Sequence, residues 1–366
     1  MKRLIAGGAV AVARSRRWAG RGPARFVGVV AGLDPACFAF VMATGILSVD
    51  TDALGLVPAS LALLGIAAGA YAALCVLTAW RVVVFWGRLT ADVDSPGRSF
   101  GLFAFVAASG VLGLRLLAAG ARPEGELLSL AGAAAWLALV GTVPGRLLTR
   151  SASRPLLDRI GGGWLLWVVA TQSVATSAGV LASHDHGWPA ALSFATAVLW
   201  SCGVAAYLVL SAAITLQLVQ GRISARRLSP SYWILMGATA ISVFTAGQLL
   251  SLPREPVASG IVAGLAIVLW AAGTLWIPPL VWLGVWRHVL MRVPLDYETG
   301  LWSMVFPLGM YVAATRTLGI VTGIPALGAA AGIEIWVALA AWTFTFLAML
   351  RAGAAWLRPP AGHEPV

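Results

Sequence analysis

Charge is what this sequence has least of. Only 11% of its 366 residues are Asp, Glu, Lys or Arg, where a soluble domain carries about 25%. So few charges cannot keep a folded surface of this size in water, which excludes a soluble globular protein and with it most ordinary enzyme folds. Acids are scarcer than bases, 14 against 25. Cysteine is nearly missing: Cys37, Cys75 and Cys202 each lie inside an apolar run. Their number is odd and no pair has ligand spacing, so they read as small hydrophobes, not as a disulfide framework or a metal site. Histidine is equally thin. His184-Asp185-His186 brings two together in a short connection with no further ligand, which reads as a solvated loop. There is no Walker-type glycine loop, no His/Asp/Glu cluster and no connection long enough for a soluble active site. Neither an enzyme, nor a metal, nor a cofactor is expected.

What is present is apolar sequence. Hydrophobic residues make up 60% of the chain, in runs of about 20, the length of a helix across a bilayer core. Ten spans are expected, near 34–50, 57–80, 99–119, 125–145, 163–183, 188–213, 231–252, 257–287, 300–318 and 330–350. The fold class is an all-α integral membrane protein. Its domains are a basic leader at 1–33, the ten-helix body at 34–350 and a short tail at 351–366. The connections 51–56 and 184–187 are so short that their flanking spans must form antiparallel hairpins.

The net charge of +11 would suggest nucleic acid in a soluble chain, but 21 of the 25 basic residues fall in the leader, alternate connections and tail. That is the positive-inside pattern. Both termini are expected in the cytoplasm and nucleic acid is not a partner. Met1–Ala13 has the outline of a signal peptide, but the five arginines from Arg14 to Arg25 would then lie outside, so a cytoplasmic leader is the better reading. Trp80, Trp86, Trp164, Trp188, Trp233, Trp286, Trp302 and Trp356 sit near span ends, as an interfacial belt does. The eighth run is too long for one straight span, and Pro278-Pro279 is expected to kink it, sending the segment from Leu280 to Trp286 along the interface.

The hairpins recur every 64–69 residues or so, a repeat of length and charge without visible identity. Odd-numbered spans hold most of the strong polar groups and many glycines; even-numbered spans are mainly Leu, Ala, Val and Trp. Polar groups are costly against lipid and glycine permits close helix approach. The odd helices therefore belong inside, around a narrow axis, and the even helices outside.

Two segments carry a family likeness. Pro35–Ser48 reads PACFAFVMATGILS, and 302–309 reads WSMVFPLG. The first resembles the opening signature of the tellurite-resistance/dicarboxylate transporter family, relatives of plant slow anion channels, which has Met-Gly-Thr-Gly where this chain has Met42-Ala43-Thr44-Gly45. The second resembles the family's aromatic-rich Phe-Pro segment. The likeness runs over 34–350 and also takes in Trp276–Leu280 and Val285–His288. It implies a quasi-five-fold ring of odd helices around a central pore, a phenylalanine plug at Phe306 just before Pro307, homotrimers, and a small anion as substrate: malate or another dicarboxylate, sulfite, tellurite-related oxyanions, nitrate or chloride.

Candidate pathway residues follow from both readings. Arg115 and Arg316, on the third and ninth spans, keep their charge at any relevant pH. They either form an anion-gathering outer vestibule, or snorkel to headgroups, or pair with Glu334, read as the acid well inside a span. Thr44, Gln172, Ser173, Thr176, Thr245 and Gln248, with Gly45 beside them, either line a pore or glue helices together. Asp34 reads as a helix cap before Pro35. No other acid is expected to titrate in the odd spans, which favours passive conduction. The alternatives are a proton-coupled dicarboxylate carrier and, from another class, a membrane sensor or structural protein without transport.

Overall fold

The computed structural model describes residues 21–150, 156–183, 188–225, 228–252 and 258–357. The readings made for residues 1–20, for His184–His186, for Arg254 and for the tail from 358 onward fall outside them. Among the described residues there is no strand. The helices are α1 (Arg21–Gly32), α2 (Ala39–Ala53), α3 (Val57–Val84), α4 (Trp86–Val93), α5 (Phe103–Ala118), α6 (Arg122–Arg150), α7 (Leu165–Ser183), α8 (Pro189–Val219), α9 (Ile234–Leu250), α10 (Ser259–Val285), α11 (Trp302–Thr322) and α12 (Pro325–Leu357). Ten helical stretches, built on all of these except α1 and α4, are long and apolar enough to cross a bilayer.

Burial sorts those ten into two sets. In α2, α5, α7, α9 and α11 the apolar stretch is 67–83% buried, and in α3, α6, α8, α10 and α12 only 11–33%. The expected inner and outer helices are therefore real. The inner set closes on itself: each member packs against two others, in the order α2, α5, α7, α9, α11 and back to α2. Each outer helix lies on the inner helix that precedes it and also touches the inner helix of the next hairpin. Outward-facing residues such as Leu130, Val209, Leu275 and Ile333 are exposed, as a lipid-facing surface requires.

Glycine sets how tightly the ring closes. A Cβ built on Gly45 would lie 3.0 Å from Val111 of α5, one on Gly110 would lie 2.6 Å from the Ser173 hydroxyl of α7, and one on Gly309 would lie 2.8 Å from Ile46 of α2. Gly179 faces Gln248 of α9, and Gly247 faces Thr317 of α11. Every contact between inner helices thus has a glycine of one helix against a side chain of the next.

A second device repeats around the ring. Trp136 of α6 donates its indole N–H to Thr171 Oγ1 of α7 (2.9 Å), Trp200 of α8 to the Ser242 carbonyl of α9 (2.9 Å), Trp270 of α10 to Thr315 Oγ1 of α11 (2.9 Å), and Trp342 of α12 to Thr44 Oγ1 of α2 (3.0 Å). In the first hairpin the Tyr71 hydroxyl of α3 bonds Ser109 Oγ of α5 at 2.8 Å. The five aromatic residues are 64 to 72 positions apart. Each fixes an outer helix to the inner helix of the following hairpin, so the repeat is carried by one aromatic tip and one oxygen per unit.

The inner helices also begin alike. Each is entered through a 3-10 turn: Pro35–Phe38, Ser99–Leu102, Gly162–Trp164, Pro230–Trp233 and Thr299–Leu301. These turns mark one end of the molecule, the N-face; the opposite end is the C-face. At the N-face Asp92 of α4 binds both Arg81 (2.6 Å) and Arg98 (2.7 Å), and Arg98 donates to the Leu33 carbonyl (2.9 Å) at the end of α1. Asp34 caps the first inner turn by accepting from Ala36 N–H at 3.0 Å.

Two local expectations change. Trp164 and Trp302 are buried, not interfacial, because they stand on inner helices and pack on Phe100 and Phe40 with ring centroids 4.4 and 4.6 Å apart. Trp80, Trp86, Trp188 and Trp356 are exposed as expected. Helix α10 carries Pro278-Pro279 inside it and continues to Val285, then closes in a π-turn at Trp286–Leu290. Finally, the first inner helix reaches Ala53 and not 50, so Asp50, the last residue of the expected span, stands short of the helix end.

Candidate functional site

Two cavities lie on the axis of the ring. The larger, about 1390 Å³, opens at the N-face and is lined from all five 3-10 turns: Ala36, Phe100 and Gly101, Gly162 to Trp164, Ser231 and Tyr232, and Gly300. Arg98, Arg159 and Arg222 stand in its wall with Asp34 and Glu298. The first N–H groups of a helix have no partner within it, and its dipole is positive at that end. Five helix starts converging on one cavity make a site that favours anions. Glycine allows the crowding: a Cβ on Gly162 would lie 2.6 Å from the backbone of Ser231 and Tyr232.

The second cavity is about 10 Å³ and is enclosed by residues of every inner helix: Ile46 of α2, Gly110, Val111 and Leu114 of α5, Ser173 and Thr176 of α7, Ile241 and Phe244 of α9, and Met310 of α11. That is about the least room a single water needs, and most of the lining is apolar. No hydrated ion passes such a constriction.

Phe306 stands between the two. Ser303, three residues earlier on α11, lines the large cavity, and Met310, four residues later, lines the small one. Residues at these spacings share a helix face, so Phe306 faces the axis between the cavities, and it is only 1% exposed. Pro307 packs on α9, where a Cβ on Gly237 would lie 2.7 Å from the proline ring. Proline at 307 also removes the donor that the Ser303 carbonyl would have in a regular helix.

The other sequence candidates separate. Ser173 and Thr176 reach the bore; Thr176 is also bonded to Thr245 at 2.8 Å. Thr245, Gln248 and Gly45 lie where neighbouring inner helices meet. Thr44 turns to the outer helix α12, where it accepts from Trp342. Gln172 donates to the Trp200 carbonyl of α8 at 3.1 Å, away from the axis. Arg115 is in neither cavity. Its guanidinium is buried between α2, α3 and α5 and donates to Asp52 (2.9 Å), Ser60 (2.9 Å) and Ser48 (3.1 Å); its carboxylate partner is Asp52, not Glu334. Arg316 is half-buried near the C-face end of α11, and its field reaches Asp50.

Asp50 is the residue that sequence reading missed. It is 3% exposed, and its Oδ2 has no hydrogen-bond partner. It lies one turn beyond Ile46 on the same face of α2, and faces α11 where Gly309 leaves room, since a Cβ there would come 3.5 Å from Oδ2. Asp50 is the last residue of the expected span 34–50, in Ser48-Val-Asp50-Thr-Asp52, and that place at a span end hides its burial. Among the described residues no group of three or more His, Cys, Asp or Glu is arranged to hold a metal ion.

Residues 32–350 match the SLAC1 family, described as voltage-dependent anion channel. Two proteins from Mycobacterium tuberculosis strains CDC 1551 and H37Rv, each called an uncharacterized membrane protein, are 49% identical to the chain over 126 residues. That stretch covers 34% of this chain and 64% of each relative.

Proposed function

Because the chain belongs to the voltage-dependent anion channel family, we propose that it moves small anions across a membrane along the axis enclosed by α2, α5, α7, α9 and α11, with Phe306 as the gate. The reading rests above all on the position of Phe306, between a large cavity built from five helix starts and a constriction with room for about one water. The cavity gathers anions without binding them to a single fixed cation. The constriction is lined by Ile46, Val111, Leu114 and Met310, and an apolar neck of this kind sheds water, which closes it to ions.

In this reading the five hairpins are arranged with quasi-five-fold symmetry, supported by the closed order of inner-helix contacts and the repeated aromatic bonds. The N-face is cytoplasmic, as the basic residues require, with both termini on that side of the cell membrane. The protein assembles as a trimer. The substrates are small mono- or dianions, from chloride, nitrate and sulfite to C4-dicarboxylates such as malate and tellurite-related oxyanions.

The test is flux in liposomes with purified protein, anions being exchanged one at a time. Phe306→Ala should raise anion flux by orders of magnitude and leave cation flux low. A well-folded Phe306→Ala protein with unchanged or lower flux would falsify the gate.

A further inference from the structure

Among the described residues, Asp50 and Glu334 are the two acids with a buried carboxyl oxygen that has no hydrogen-bond partner, Oδ2 and Oε2 respectively. They come from different helices, α2 and α12, which both pack on α11. Arg316 and Glu334 are the charged groups whose fields reach Asp50, and Glu334 faces Thr315, beside Arg316. Gly309 and Arg316 are seven residues apart, two turns on one face of α11. A long side chain at 316 leans back toward the turn below it, and so toward the carboxyl group that lies over Gly309.

The charges in this corner do not balance. One guanidinium, whose field reaches Asp50, stands in a corner with two carboxyl groups that each have an orphaned oxygen, and a buried excess charge is expensive. The remaining groups on the packed helices do not relieve it. Arg115 of α5 is committed to Asp52, Ser48 and Ser60. Tyr311 of α11 is bonded to Thr274 of α10. The facing stretch of α3 offers Ser60, which is taken by Ser48 and Arg115.

We propose that Asp50, Glu334 and Arg316 form a proton-linked anion site at the C-face end of the bore, where the carboxyl groups take up protons as a small anion binds the guanidinium. This rests on the anion-pathway reading above and adds energy coupling to it. With both carboxyl groups ionised the corner carries one net negative charge, Arg316 is neutralised, and an anion is repelled. One proton makes the corner neutral. A second leaves the guanidinium uncompensated, and an anion restores neutrality while the protonated carboxyls donate hydrogen bonds. Proton and anion each favour the other's binding by the same factor. Asp50 lies one turn from Ile46, which lines the constriction, so the site sits where an anion leaves or enters the narrow bore.

Two readouts test this, and they fail separately from the conduction reading. The first is infrared titration of the protein in lipid nanodiscs. A protonated-carboxyl band should appear as pH falls, lose intensity in Asp50→Asn and in Glu334→Gln, and move to higher pH when chloride or malate is added. In Arg316→Gln the anion should no longer move it. The second is flux into liposomes with the pH at the C-face varied. Wild-type flux should rise as that side is acidified, by at most about tenfold per pH unit for each coupled proton, and the profile should flatten in either carboxyl variant. Identical infrared titrations in wild type, Asp50→Asn and Glu334→Gln would overturn the proton site, as would flux driven by sodium in place of protons. Titration and anion shift intact with no flux at any pH would uphold the site and overturn conduction.

Discussion

The Trp342 indole donates to the Thr44 hydroxyl at 3.0 Å across 298 residues of chain, joining the last outer helix to the first inner one. Thr44 also donates to the Phe40 carbonyl at 2.8 Å, so its hydroxyl is used in both directions. Trp342→Phe keeps most of the packing and removes the donor. Polar contacts of this kind between membrane helices average about 0.6 kcal/mol and reach about 1.7. Trp342→Phe and Thr44→Val should each lower thermal stability in detergent by an amount in that range. The double variant should cost little more than either alone. Fully additive losses would show that the two residues act independently.

Arg115 is predicted to matter for stability. Hydrogen bonds to a charged group are worth about 1.5–3 kcal/mol each, and leaving a buried charge without its partner is costly. Asp52→Asn should therefore lower the melting temperature clearly, and Arg115→Gln should leave Ser48, Ser60 and Asp52 without their shared donor. Anion selectivity at low salt, where the field of a vestibule charge is least screened, should stay unchanged in both. A selectivity change with normal stability would return Arg115 to the anion pathway.

Gly237 faces the rigid ring of Pro307, and a Cβ there would lie 2.7 Å from it. The proline ring cannot rotate away, so Gly237→Ala must push α9 and α11 apart beside Phe306. Overpacking costs about 1–3 kcal/mol. The variant should be less stable and should leak anions at rest. Gly264→Ala on α10, where nothing lies within 4 Å, is the matched control and should do neither.

Sidedness is open to direct labelling. Glu124 lies in the first turn of α6 at the C-face and Arg88 in α4 at the N-face, and both are exposed. With Cys37, Cys75 and Cys202 replaced, Glu124→Cys should react with an impermeant maleimide added to whole cells, and Arg88→Cys only after permeabilisation. The opposite pattern would invert the proposed orientation.

The ten spans were legible because composition alone separates lipid-facing sequence from everything else. The division into inner and outer helices was legible too, since polar groups are tolerated only where protein covers them. What each polar group does was not. Thr171, Ser242 and Thr245 each donate to the carbonyl four residues back, so a hydroxyl costs little on any buried face and its presence does not name that face. Ser173 and Gln172 are adjacent in sequence, yet one reaches the bore and the other leaves it. The recurring aromatic bond was hidden among 17 tryptophans, and because its first member is Tyr71. Asp50, at the last position of the expected span, reads as an acid at the membrane surface; α2 runs three residues further, which in a membrane is the difference between a solvated acid and a buried one.

The outer-to-next-inner pattern has a consequence for how the protein is made. A ribosome delivers the hairpins in order, and every inner helix but the first finds its aromatic partner already in the bilayer when it arrives. The first must wait for the last: α2 meets α11, and Thr44 meets Trp342, only once nearly the whole chain has been synthesised. Until then the nascent protein is an open arc with one polar flank facing lipid or the insertion machinery. A stop codon before α11 would leave that arc permanently open, and quality-control proteolysis would read the defect from the opposite end of the chain.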